Sequence, residues 1–117
     1  MATLSSKKSA DTCLATYGTL APGRPNHNQL TDLEGNWRRG TVRGKLVEVG
    51  WGAELGFPGL VLDPSGNIIE VYIFESLDLP DHWRRLDEFE GAGYRRAVTL
   101  VSTSDGDRDA SIYVVGS

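Results

Sequence analysis

Only one stretch of this chain carries a helical period, and that limits the fold more than any other feature. Residues 79–90 (LPDHWRRLDEFE) place Leu79, Trp83, Leu86 and Phe89 on one face at about 100° per residue. Elsewhere the apolar runs are short and broken by turn residues, and 14 glycines are spread along the chain. The spacing predicts strands over residues 12–17, 37–49, 60–62, 68–74, 94–102 and 110–115. Residues 63–67 (DPSGN) predict a β-hairpin between the third and fourth of these, and residues 104–107 (SDGD) a turn between the last two. In the long second strand Val42, Leu46 and Val47 are expected to point inward, with a bend or bulge at Gly40 and Gly44. Residues 21–28 (APGRPNHN) read as a loop, followed by a short helical turn over 29–33.

About six strands and one helix predict an α+β fold, a small mostly antiparallel β-barrel with one main flanking helix. A chain of 117 residues fits one domain. Residues 1–10 are polar and aperiodic, which predicts a flexible N-terminal tail, and residues 11–117 form the domain.

Within the helix, Asp81, Arg84, Arg85 and Glu88 fall opposite the apolar stripe and suit a solvated face with i,i+4 pairs. Glu90 departs from that division. It follows Leu86 by four residues and Trp83 by seven, so it belongs to the apolar stripe, where glutamate is rare unless paired or functional. Gly91 is the expected C-cap, which puts Glu90 in the last turn. Burial and the negative end of the helix dipole both raise a carboxyl pKa there, as proton transfer near neutral pH requires. The competing reading is a frayed turn with Glu90 in water or paired to Arg95 or Arg96. Asp87, at the stripe's edge, is expected in a salt bridge or cap.

Charge and composition exclude several classes. The net charge of −4, from 16 acidic and 12 basic side chains, disfavours phosphate backbones and anionic membranes. The pairs Arg38-Arg39, Arg84-Arg85 and Arg95-Arg96 form no basic stripe, so no nucleic-acid partner is expected. No run approaches the ~20 apolar residues of a transmembrane helix, and residues 1–10 lack a signal-peptide core. A cytoplasmic protein without a membrane partner is expected. Cys13, the single cysteine, lies in an apolar run and is expected to be buried and inert. His27 and His82 have no cysteine or carboxylate at ligand spacing, so no metal is expected. Gly50-Trp51-Gly52 lacks the third glycine of a dinucleotide fingerprint, and no nucleophile elbow supports a serine triad. Pairing Glu90 with Glu54 or Glu75 as a two-carboxylate hydrolase has no spacing to support it. Trp37 and Trp83 are expected in the core, and Trp51, in a glycine-rich loop, near a pocket. No exposed apolar face stands out to set an oligomeric state.

Tyr17-Gly18-Thr19-Leu20 closes the first strand and opens the Pro/Gly loop. Glycine there allows backbone N–H groups to approach a ligand and turn toward a carboxylate. Taken with Pro25-Asn26-His27, residues 56–60 (GFPGL), residues 86–91 (LDEFEG) and Tyr94-Arg95-Arg96, this segment resembles the gamma-glutamylcyclotransferase-like superfamily, specifically its small bacterial branch. The match runs in order from about Leu14 to Val115. The resemblance implies a compact barrel with a cavity at one end, and a loop at Tyr17, Gly18, Thr19 and Leu20 that holds the γ-glutamyl α-carboxylate and amine. It implies Glu90 as general acid/base and Tyr94 and Tyr113 as cavity walls. It also implies a cofactor-independent enzyme whose partner is a small γ-glutamyl substrate, with 5-oxoproline and a free amine as products. The chain is shorter than eukaryotic members, which leaves the amine open. A noncatalytic module binding a small carboxylate in the same pocket is the alternative.

Overall fold

The computed structural model describes residues 10–17, 27, 30–48, 58–91 and 93–115. Among the described residues there are six strands: β1 (Cys13–Thr16), β2 (Asn36–Glu48), β3 (Pro58–Leu62), β4 (Asn67–Glu75), β5 (Tyr94–Thr103) and β6 (Gly106–Val115). Ala10 and Asp11 before β1 are helical, and a 3-10 turn at Leu79–Asp81 leads into the flanking helix α1 (Trp83–Glu90). The strands run in the order β3-β2-β4-β1-β6-β5, and a bridge between Thr41 and Ser102 joins β5 back to β2. Closing that ring makes a five-stranded barrel of β2, β4, β1, β6 and β5, with β3 alongside the far half of β2. Every pairing is antiparallel except β1 with β6. The expected small, mostly antiparallel barrel with one flanking helix is therefore what the chain forms.

Alternation along each strand divides the core in two. Cys13, Ala15, Val42, Val71, Ile73, Val101, Ala110, Ile112 and Val114 fill the barrel. The intervening Leu14, Phe74 and Tyr113 turn outward and meet Leu79, Trp83 and Leu86 of the helical segment in a second cluster. The Trp83 indole donates to the Asp11 carbonyl at 2.9 Å, which seats the helix on the start of β1. Ala10 is buried and its carbonyl accepts from Ser111 at 2.8 Å. Residues 1–9 lie outside the described residues.

Four expectations are corrected. The predicted hairpin at residues 63–67 is a turn between strands that do not pair with each other. Gly44 of β2 is opposite Leu62 of β3 on one edge and Asn67 of β4 on the other. The chain thus crosses β2 at Gly44, and the crossing is tight. A Cβ on Gly44 would lie 2.5 Å from the Val61 carbonyl oxygen, and one on Gly66 would lie 2.6 Å from that of Gly44. The β2–β4 register is continuous from Asn36 to Gly44, so Gly40 marks no bulge. It lies beside the barrel seam, where a Cβ would come within 2.7 Å of Val101 and 2.9 Å of the Ser102 carbonyl. Leu46 is 45% exposed, because β2 runs past the closed ring at that point. Finally, the helix predicted over 79–90 is broken at His82, and Phe89 is 39% exposed. Pro80 in the 3-10 turn lacks an N–H and favours an N-terminal position.

Candidate active site

Glu90 is the last residue of α1, and Gly91 follows as its C-cap with φ of 85°. That left-handed backbone favours glycine, and the Gly91 N–H closes the helix on the Asp87 carbonyl at 3.1 Å. The carboxyl of Glu90 is half-buried. Among the described residues it has no hydrogen bond or ion pair, and burial pushes its pKa up to about 7.

Three tyrosines gather around this carboxyl. Tyr17, at the end of β1, donates its hydroxyl to the Tyr113 carbonyl at 2.7 Å and is also bonded by the Leu60 amide. One phenol therefore ties β3, β6 and the end of β1 together. Burial, then the neighbouring Tyr94 and Glu90, raise the Tyr17 pKa above its ordinary value. Tyr94 packs half-buried against the helix cluster. Tyr113 is buried, and its hydroxyl donates to Asp87 Oδ1 at 2.6 Å. Burial, the bond to Asp87 and the charges of Asp87 and Glu90 together push Tyr113 upward, against the opposing pull of Arg96.

The structure thus brings Glu90, Tyr17, Tyr94 and Tyr113 to one end of the barrel. The Tyr113 hydroxyl is committed to Asp87. Gly18, Thr19, Leu20 and Trp51 lie outside the described residues. His27 packs its ring on Trp37 at 5.4 Å, and its carbonyl accepts from Leu30, a structural use in the loop. Cys13 is buried, with burial raising its pKa. Among the described residues no group of three or more His, Cys, Asp or Glu could hold a metal ion, and no helix is long and apolar enough to cross a membrane.

Asp87 and Arg96 are the participants the sequence reading underused. Arg96 grips Asp87 through two bonds, of 3.0 and 3.3 Å, and lies over the Trp83 ring at 4.4 Å. Asp87 was legible as a salt-bridge residue from the helical period. Its partners depend on Arg96 standing opposite Tyr113 across β5 and β6, a register that composition does not reveal.

The other end of the barrel is built differently. Glu75 pairs with Arg38 at 2.9 Å and with Arg108, and Arg38 also binds Asp105 at 2.6 Å. An open hollow of about 490 Å³ lies here, bordered by Glu34, Asn36, Ser76 and Asp78. Ser76 and Asp78 spend their polar groups on the Glu34 backbone and on each other, which leaves them a structural role in the wall of this hollow.

The fold is thus a closed barrel flanked by a helix whose last residue, Glu90, has its pKa raised to about 7 by burial. The chain belongs to the gamma-glutamyl cyclotransferase, AIG2-like family, whose model matches residues 14–117. Its structure is similar to that of an AIG2-like protein of Mus musculus, with 26% identity and a TM-score of 0.72, covering 90% of this chain and 77% of that one. It is also similar to YkqA of Bacillus subtilis, with 26% identity and a TM-score of 0.70. That match covers 90% of this chain but spans only 36% of YkqA. An uncharacterized protein of Pyrococcus horikoshii shares 26% identity at a TM-score of 0.62, covering 91% and 79% of the two chains. No curated protein matches the sequence significantly. Family membership points to a cyclotransferase-type function.

Proposed function

We propose that this chain is a cyclotransferase acting on γ-glutamyl amines, releasing 5-oxoproline and a free amine, with Glu90 as general acid and base. Glu90 itself carries the reading. It is a half-buried carboxyl with no cationic partner among the described residues and a pKa of about 7, at the barrel end that Tyr17 occupies. A group titrating there is present in useful amounts as both base and acid at neutral pH.

A γ-glutamyl amide carries its own nucleophile, the α-amine. The glycine-containing loop that opens at Tyr17 would hold the α-carboxylate through backbone N–H groups, folding the substrate so that amine and γ-carbonyl meet. Ionised Glu90 takes a proton from the amine as nitrogen attacks the γ-carbonyl carbon and the lactam C–N bond forms. The former amide C–N bond then breaks, and Glu90 returns that proton to the departing amine. Bond and proton counts balance without a covalent enzyme intermediate. Holding the substrate folded contributes roughly 7–11 kcal/mol in well-oriented intramolecular reactions, and the acid/base about 10²–10⁴-fold.

The direct test is 5-oxoproline release from a panel of γ-glutamyl amines, comparing the wild type with Glu90→Gln. Release from the wild type that falls by about 10²–10⁴-fold in the variant is the expected result. Release from neither protein, with a γ-glutamyl compound still bound, would leave a noncatalytic carboxylate-binding module instead.

A further inference from the structure

Asp87 and Glu90 stand three residues apart on α1, so their side chains are neighbours, with Cβ atoms about 5–6 Å apart. A guanidinium that reaches one is within a rotamer change of the other. Arg96 is bonded twice to Asp87 and lies over the Trp83 ring. The second Asp87 partner, Tyr113, stands opposite Arg96 in the β5–β6 register and donates at 2.6 Å. Two adjacent strands therefore grip one carboxylate in the penultimate turn before Glu90.

The pair is not there chiefly for stability. Its side chains are 29% and 43% exposed, and ion pairs so solvated contribute little to folding. Its effect on charge distribution is larger. Among the described residues, Glu90 acts on Tyr17 from the end of β1 and on Tyr113 from β6, and Arg96 from β5 and Asp87 from the helix of Glu90 act on that same Tyr113. Arg95 stands opposite Val114 on the alternate face of β5. Among the described groups acting on Tyr113, Arg96 is the cation, and Asp87 occupies it.

We propose that Asp87 is a positioning residue that sequesters the Arg96 guanidinium and, with Tyr113, fixes the last turn of α1, leaving the Glu90 carboxyl without a cationic partner. Without Asp87, Arg96 turns to Glu90, and an opposite charge at that range favours the ionised form. The consequence for rate rests on the cyclotransferase reading, whereas the consequence for the Glu90 carboxyl does not.

The experiment is a direct NMR titration of the Glu90 side-chain carboxyl in the full chain, beside the pH dependence of kcat/KM. In Asp87→Asn the Glu90 midpoint is expected to fall by about 1–3 pH units, and any pH–rate midpoint to fall with it. In Asp87→Asn/Arg96→Met the midpoint returns to near the wild-type value, since the released cation is gone. An unchanged midpoint in folded Asp87→Asn, or a double variant as low as the single one, would overturn the proposal. Arg96→Met carries the test alone where Asp87→Asn does not fold. There the midpoint stays at or above the wild-type value, and a fall would refute the sequestration. Because the titration needs no substrate, an inactive wild type would sink the cyclotransferase reading and leave this result standing.

Discussion

Asp87 and Glu90 lie one turn apart on the same helix, yet among the described residues only Asp87 has a cationic partner. The inequality separates their chemistry. Arg96 and Tyr113 occupy the Asp87 carboxylate, while burial pushes the Glu90 pKa up to about 7. If Glu90 is the base that deprotonates the amine, kcat/KM falls tenfold per pH unit well below that midpoint. The limb is expected near pH 7 for every γ-glutamyl substrate, since it belongs to the free enzyme. A limb near pH 4, the ordinary carboxylate range, would remove Glu90 from that role.

A raised pKa also makes Glu90 a stability liability. The folded protein binds the Glu90 proton more tightly than the unfolded chain, so this group's contribution declines as pH rises from about 4.5 to 7. Its full cost above pH 7 has an upper limit of about 3 kcal/mol. Glu90→Gln removes the term, so the variant is expected to be more stable than the wild type at pH 8, with the difference vanishing near pH 4. Urea unfolding at the two pH values measures this. Equal differences at both would show that burial is not what shifts the carboxyl.

The barrel, the strand-rich order and the helix stripe through Leu79, Trp83 and Leu86 were legible because periodicity reports local burial. Glu90 was legible for the same reason, as a carboxylate in an apolar register. The crossing of β2 by the chain between β3 and β4 was not, because the turn 63–66 has the same composition whether its flanking strands pair or part. What decides it is the contact of Gly66 on Gly44, two residues far apart in sequence. The grip on Asp87 escaped for a related reason, since it depends on which residues of β5 and β6 stand opposite one another.

Gly40 tests how tightly the barrel closes. A Cβ there meets Val101 at 2.7 Å and the Ser102 carbonyl at 2.9 Å, next to the single bridge joining β2 and β5. A methyl group cannot enter without shifting backbone, and overpacking of this kind costs about 1–3 kcal/mol. Gly40→Ala is therefore expected to lower the unfolding free energy read from urea unfolding by that amount, with a lower midpoint. No loss would mean the seam opens readily and contributes little to the fold.

Glu75 presents the converse case, a carboxylate whose partners are already in place. It holds Arg38 and Arg108 at the end of the barrel remote from Glu90, with Cys13 Sγ 3.8 Å away. Arg108 Nε is buried with no partner of its own among the described residues, so Glu75 is that arginine's main compensation. Glu75→Ala leaves Arg38 with Asp105 but strips Arg108 of its carboxylate partner. Hydrogen bonds to charged groups contribute about 1.5–3 kcal/mol, and a destabilisation in that range is expected. The loss is expected to shrink in Glu75→Ala/Arg108→Met, which removes the stranded charge together with its partner. Turnover per folded molecule should be unchanged in both variants, because this cluster shares no contact with Glu90. A double variant no more stable than the single one would show that the cost arises from lost packing rather than from an uncompensated arginine.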